Sequence, residues 1–187
     1  MSGHSKWSQI KRQKGVTDAA RSRVFSKFAR LITIESKKAV GNVSAPALAA
    51  VIARAKAANM PKDNIERAVT KGSSKEAGDL SEVAYEFYGP GGAAVIVNAL
   101  TDNKNRTTAE IKHLLTKNGF ELGTPGSAAW AFTKQGDGTL VPNEPLMDVA
   151  GDDEENLGKI LEALDEHDDV QGVVTNARGF ESTSGED

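Results

Sequence analysis

The chain has no cysteine. Disulfides, thiol nucleophiles and cysteine metal cages are therefore excluded, and a reducing compartment fits. It also lacks any apolar run near the roughly 20 residues that span a bilayer, and nothing at the N-terminus resembles a signal-peptide core. A cytoplasmic protein with no membrane partner is expected. An Arg-rich, acid-poor N-terminus is also the composition of a mitochondrial transit peptide, but here it runs at once into helices whose apolar faces can pack against it. Catalytic signatures are missing too: there is no nucleophile elbow, no metal-binding His pair and no dinucleotide fingerprint. Of the three histidines, His4 has no nearby carboxylate and His113 lies beside Leu114 on a helix. His167 stands among Asp165, Glu166, Asp168 and Asp169, a pattern that reads as a solvated acidic helix end before it reads as a cation site. No catalytic residue, cofactor or metal is expected, and the chain is read as a non-enzyme.

What is present is charge, unevenly placed. The formal total of -3 divides into +11 over residues 1–77 (16 cations, 5 anions) and -14 over residues 78–187 (7 cations, 21 anions). Such asymmetry points to nucleic-acid contact by the basic half, and it predicts two domains with a tail: a basic helical domain (1–77), an acidic domain (78–178) and a disordered end (179–187).

The basic excess is concentrated at the head, where Lys6, Lys11, Arg12, Lys14, Arg21, Arg23, Lys27, Arg30, Lys37 and Lys38 meet only Asp18 and Glu35. Residues 3–14 have no apolar periodicity and read as a flexible arm. Thr17 or Asp18 can cap the helix that follows. At 100° per residue, Val24, Phe25, Phe28, Leu31 and Ile32 share an arc of about 120°, and Arg23, Lys27, Arg30 and Lys37 an arc of about 80° on the opposite side. One face is expected to pack and the other to carry charge. Phosphate backbones require many cations at modest geometric precision, so the arm and stripe are the strongest candidate site. Trp7 either stacks on a base or tucks against the bundle.

Pro46 opens a second helix with Leu48, Val51, Ile52 and Ala55 as its stripe. Asn59-Met60-Pro61 breaks it and starts a third, in which Ile65, Ala68 and Val69 face inward until Gly72 closes it. The first domain is thus a three-helix bundle, followed by a linker over residues 72–79.

Strand periodicity then begins. Residues 83–88 and 93–100 flank Gly89-Pro90-Gly91-Gly92, read as a hairpin turn and not as a phosphate loop because an apolar strand follows it, not a helix. A helix follows with Thr107 and Glu110 at capping-box spacing and Ile111, Leu114 and Leu115 inside. Ala128, Trp130 and Phe132 alternate as in a strand with one buried side. After Gln135-Gly136-Asp137-Gly138 comes a short strand near 139–141. The next helix has an acidic first turn and a stripe of Leu157, Ile160, Leu161 and Leu164, and residues 170–175 form a last strand. Without the first strand the order is β-α-β-β-α-β, the split βαβ arrangement of ferredoxin-like domains, and the fold class is α+β. Polar residues 101–107 at a helix start make Lys104, Asn105 and Arg106 a second candidate contact.

Five stretches together resemble the YebC/PmpR family: Gly3-His4-Ser5-Lys6-Trp7, Asn59-Met60-Pro61-Lys62-Asp63-Asn64-Ile65-Glu66-Arg67-Ala68, Tyr85-Glu86-Phe87-Tyr88-Gly89-Pro90-Gly91-Gly92, Thr101-Asp102-Asn103-Lys104-Asn105-Arg106-Thr107 and Gly126-Ser127-Ala128-Ala129-Trp130-Ala131-Phe132. The resemblance implies a helical N-terminal domain, an α/β body and a role in gene expression. Such members are described as DNA-binding transcriptional regulators, and relatives including the mitochondrial translational activator of cytochrome c oxidase act at the ribosome. Duplex DNA and ribosomal RNA, with the ribosome itself, are the two implied partners, and the oligomeric state is left open. Members of this family usually carry a third α/β domain inserted in the second; at the matching point, between Phe132 and Val141-Pro142, this chain has only a short turn.

Overall fold

The computed structural model describes residues 17–74, 78–136 and 138–180. They form two compact units: a helical unit within Val16–Ser81 together with Leu100–Asn103, and an α/β unit of Glu82–Ala99 and the chain from Lys104 onward.

The helical unit contains α1 (Asp18–Lys38), α2 (Pro46–Ala57) and α3 (Lys62–Ser73). Thr17 caps α1, its hydroxyl accepting from the Ala20 N–H at 3.1 Å. Ile32, Leu48, Ala55, Met60, Ile65 and Ala68 make the core, with Phe25, Phe28, Val51 and Ile52 packed around it. The α1 face that packs is turned from the expected one. Val24 is 42% exposed, while small polar residues Thr33 and Ser36 are buried. The reason is Gly72, which does not close α3 but lies inside it. A Cβ at position 72 would stand 2.3 Å from the Thr33 carbonyl oxygen and 2.7 Å from the Ser36 Cβ, so only glycine lets the two backbones approach this closely. The Ser36 hydroxyl donates to the Val69 carbonyl at 2.7 Å, joining the two helices where no apolar side chain fits.

The α/β unit contains β1 (Ser81–Tyr88), β2 (Ala94–Thr101), α4 (Lys104–Lys117), β3 (Phe132–Lys134), β4 (Leu140–Pro142), α5 (Asp152–Asp165) and β5 (Val170–Thr175). This is an α+β fold in the expected chain order, but the strands divide into a three-stranded sheet, β1-β2-β5, and a separate β3-β4 pair. The cause is the extra first strand. Gly89 to Gly92 turns β1 back onto β2, with Gly91 and Gly92 at φ of 67° and 79° and the Gly89 N–H donating to the Ala93 carbonyl at 2.8 Å. β5 takes the other edge of β2, antiparallel, with Ile96 opposite Val174 and Val97 opposite Val173. Both edges of the central strand are then occupied, and the third ferredoxin-like strand has none to join.

The β3-β4 hairpin lies over one face of the sheet, where Ala94, Ile96 and Val174 meet Ala128, Ala131 and Phe132. The alternate residues Val95, Val97 and Val173 face α4 and α5, with Ile111, Leu115, Leu157, Ile160, Leu161 and Leu164 buried against them. Phe180, expected at the head of a disordered tail, is 2% exposed and belongs to this core, so the packed chain runs past position 178. Where the resemblance implies an inserted domain, Phe132 pairs with Pro142 and Lys134 with Leu140; the strands close directly on one another. Among the described residues, no helix is long and apolar enough to cross a membrane.

Candidate nucleic-acid interface

His4, Lys6, Trp7, Lys11, Arg12 and Lys14 lie outside the described residues. Arg21, Arg23, Lys27, Arg30 and Lys37 are on α1, but the cationic and packing faces are not opposed as angular counting suggests. Arg30 stands on the same side as Phe25, Ala29 and Thr33, lining a groove of about 690 Å³ between α1 and α3. Its guanidinium donates to the Leu100 carbonyl at 3.3 Å, which orients it. Ser22, Ser26 and Asn64 add hydroxyl and amide groups, α3 contributes Arg67 and Lys71, and Asp102 is an anion on the rim. Lys37 is turned to Asp79, with Nζ 2.6 Å from the carboxylate. That hydrogen bond and the Lys37 charge hold the Asp79 carboxyl below the usual carboxylate range. Arg21 pairs with Asp18 at 3.7 Å.

Arg67 and Lys71 lie beyond the basic head and are not among the sequence-based candidates. Their signal was nevertheless present: i, i+4 cations on a helix whose Ile65, Ala68 and Gly72 face inward share one side of it. The arrangement brings cations from two helices, held close by the Gly72 contact, onto one groove. That suits a polyanion, since its spacing is held by the fold and costs little to organise on binding.

The second candidate, at the start of α4, behaves differently. Lys104 and Asn105 are exposed. Arg106 donates to the buried Asp169 carboxylate at 2.9 Å, and Thr107 donates to the same oxygen at 2.6 Å. Thr107 is therefore buried inside the helix and does not cap it; Thr101 caps the turn before it, accepting from the Asn103 N–H at 2.9 Å. His167 is drawn into this cluster, with Nδ1 accepting from the Asp169 N–H at 3.1 Å. Nε2 consequently carries the proton and donates to Glu110 at 3.0 Å. The ligating atoms of Glu110, His167 and Asp169 lie within 4.8 Å of one another, but Arg106 already supplies the positive charge among them. A cation would have to displace a guanidinium and a hydroxyl.

Comparison with known proteins agrees with this architecture. Residues 5–75 match the TACO1/YebC protein N-terminal domain, and residues 80–144 match the TACO1/YebC second and third domain. A protein of Desulforapulum autotrophicum named a probable transcriptional regulatory protein is 42% identical over 187 residues, covering 99% of this chain and 75% of its own. One of the same name from Francisella tularensis subsp. tularensis is 45% identical over 199 residues, covering 100% and 80%. The crystal structure of a conserved hypothetical protein from Aquifex aeolicus superposes with a TM-score of 0.78 at 30% identity, over 86% of this chain and 91% of that one. With both family domains matched and relatives of this similarity along nearly the whole sequence, the chain belongs to the TACO1/YebC family.

Proposed function

We propose that this protein is a non-enzymatic regulator of gene expression whose helical unit grips the phosphate backbone of duplex DNA. The observation that carries the proposal is the α1–α3 groove, in which Arg30, Arg67 and Lys71 stand with Ser22, Ser26 and Asn64. Cations and neutral donors in one fixed concavity are what phosphate oxygens take up. Arg23 and Lys27 on α1 and the arm residues Lys6, Lys11, Arg12 and Lys14 extend the same chemistry, and His4 and Trp7 are assigned to contacts beside them. Lys104 and Asn105 are auxiliary contacts, while Arg106 is assigned to its internal ion pair. The names of the curated relatives support a role in transcription. Phosphate contacts position a protein without specifying sequence, so the α/β unit is assigned shape or partner contacts. Crosslinking in cells, with bound DNA and RNA sequenced together, tests the reading. Promoter DNA enriched over random duplex supports it; recovery of ribosomal RNA in place of DNA would move the same cations to a translation factor at the ribosome.

A further inference from the structure

The α/β unit displays two aromatic side chains that its core does not absorb. Trp130, expected to be buried in a strand, lies in a one-turn 3-10 helix, Ala129–Ala131, and is 64% exposed; Tyr88, at the end of β1, is 42% exposed. Neither is loose. The indole N–H donates to the Tyr88 hydroxyl at 2.7 Å, and that hydroxyl donates to the Ser127 carbonyl. Beneath them the Glu86 carboxylate accepts from the N–H groups of Gly126, Ala128 and Ala129 at 2.7, 2.7 and 3.1 Å. On the other side the Asn143 amide donates to the Trp130 carbonyl at 2.9 Å. A buried carboxylate, a strand and a hairpin thus hold one exposed indole in place.

Two properties follow. The ring is preorganised, so a ligand meets little ordering cost. Its single donor and the Tyr88 proton are both used within the patch, so the outward surface is mainly π face. A cation, a nucleobase or an apolar group can bind there. Charge decides among them, because the unit that carries the platform is acidic: residues 82–99 and 104–180 hold 7 cations against 16 anions. A strand that brings a phosphate with every base is repelled, whereas an ammonium or guanidinium is drawn by the acidic surroundings and by the ring quadrupole.

We infer that the Tyr88–Trp130 platform is a docking site for an Arg- or Lys-bearing segment of a partner protein, with the cation over the Trp130 ring.

Trp7→Phe in the full chain leaves Trp130 as the one indole, so its fluorescence reports this site alone. An acetylated Gly-Arg repeat peptide should shift the emission saturably, and the same peptide with citrulline for arginine should bind about fivefold or more weakly. A uridine decamer should leave the emission unchanged. Trp130→Leu should weaken a labelled Arg peptide by a similar factor without loss of circular dichroism, and Tyr88→Phe, which keeps the ring but not the hydroxyl that fixes the indole, should fall between. Equal binding of the citrulline peptide would overturn the inference, as would a decamer that shifts the emission more than the peptide does. Either failure would leave the α1–α3 groove reading untouched.

Discussion

The two units use charge in opposite ways. In the helical unit the core is small, α1 and α3 meet closely where Gly72 faces the Thr33 carbonyl and the Ser36 side chain, and Arg67 and Lys71 stand exposed at the groove. In the α/β unit the decisive charges face inward. Glu86 holds three backbone N–H groups, and Asp169 holds Arg106 and Thr107. A carboxylate shielded from water and given two or three donors acts as a fastener, while a cation left at a rim remains available to a ligand. Charge content alone does not distinguish these uses; burial does.

The largest effects should come from the Gly72 contact and the Glu86 carboxylate. Gly72→Val places a branched side chain against a backbone carbonyl that cannot yield, and should destabilise the helical unit by about 3 kcal/mol. Hydrogen exchange resolved by peptide should show faster exchange across α1 and α3 with α4 and α5 unchanged. Glu86→Ala should do the converse, leaving three N–H groups without their acceptor at a cost of about 2–3 kcal/mol and loosening residues 123–131. If both variants loosened both units equally, the two units would not be held by separate contacts.

A smaller effect separates structural from ligand-facing cations. Arg106→Gln removes the charge that faces Asp169, and should lower stability in urea by roughly 1–2 kcal/mol while changing duplex affinity less than twofold. A tenfold loss of affinity with unchanged stability would return Arg106 to the interface.

The smallest effect is expected at the exposed Lys37–Asp79 pair. Lys37 holds the Asp79 carboxyl below its ordinary range, first by hydrogen bonding and then by its charge. A carboxyl depressed in the folded state contributes stability above its ordinary range and loses it as pH falls through the depressed value. Asp79→Asn should therefore melt slightly below the parent at neutral pH, and the gap should close as pH falls toward 3. A gap that widened on acidification would refute the sign.

What the sequence made legible was whatever local periodicity could carry. Leu157, Ile160, Leu161 and Leu164 are all at most 1% exposed, and β5 occupies residues 170–175, because a stripe or an alternating run needs no knowledge of distant partners. Ala128, Trp130 and Phe132 alternate as a strand with one buried side would, yet Glu86, 42 residues before Ala128, bends that stretch into a turn. Thr107 has capping-box spacing to Glu110, but its partner is Asp169, 62 residues on. Gly72 read as a stop signal, since nothing local announces Thr33 on another helix. The candidate site was half visible for the same reason: the α1 cations follow from composition, whereas their meeting with Arg67 and Lys71 depends on how two helices pack.

The central claim is that cations of the helical unit, and not those at the start of α4, hold the polyanion. It is tested by the salt dependence of duplex binding for the parent chain, for Arg30→Gln/Arg67→Gln/Lys71→Gln and for Lys104→Gln/Asn105→Ala. The slope of log affinity against log salt should become shallower by about 0.9 for each groove cation that engages a phosphate, so by about 2–3 in the triple variant, and by less than about 1 in the α4 variant, which loses one cation. A triple variant with the parent slope, or a larger change from the α4 variant, would contradict the account.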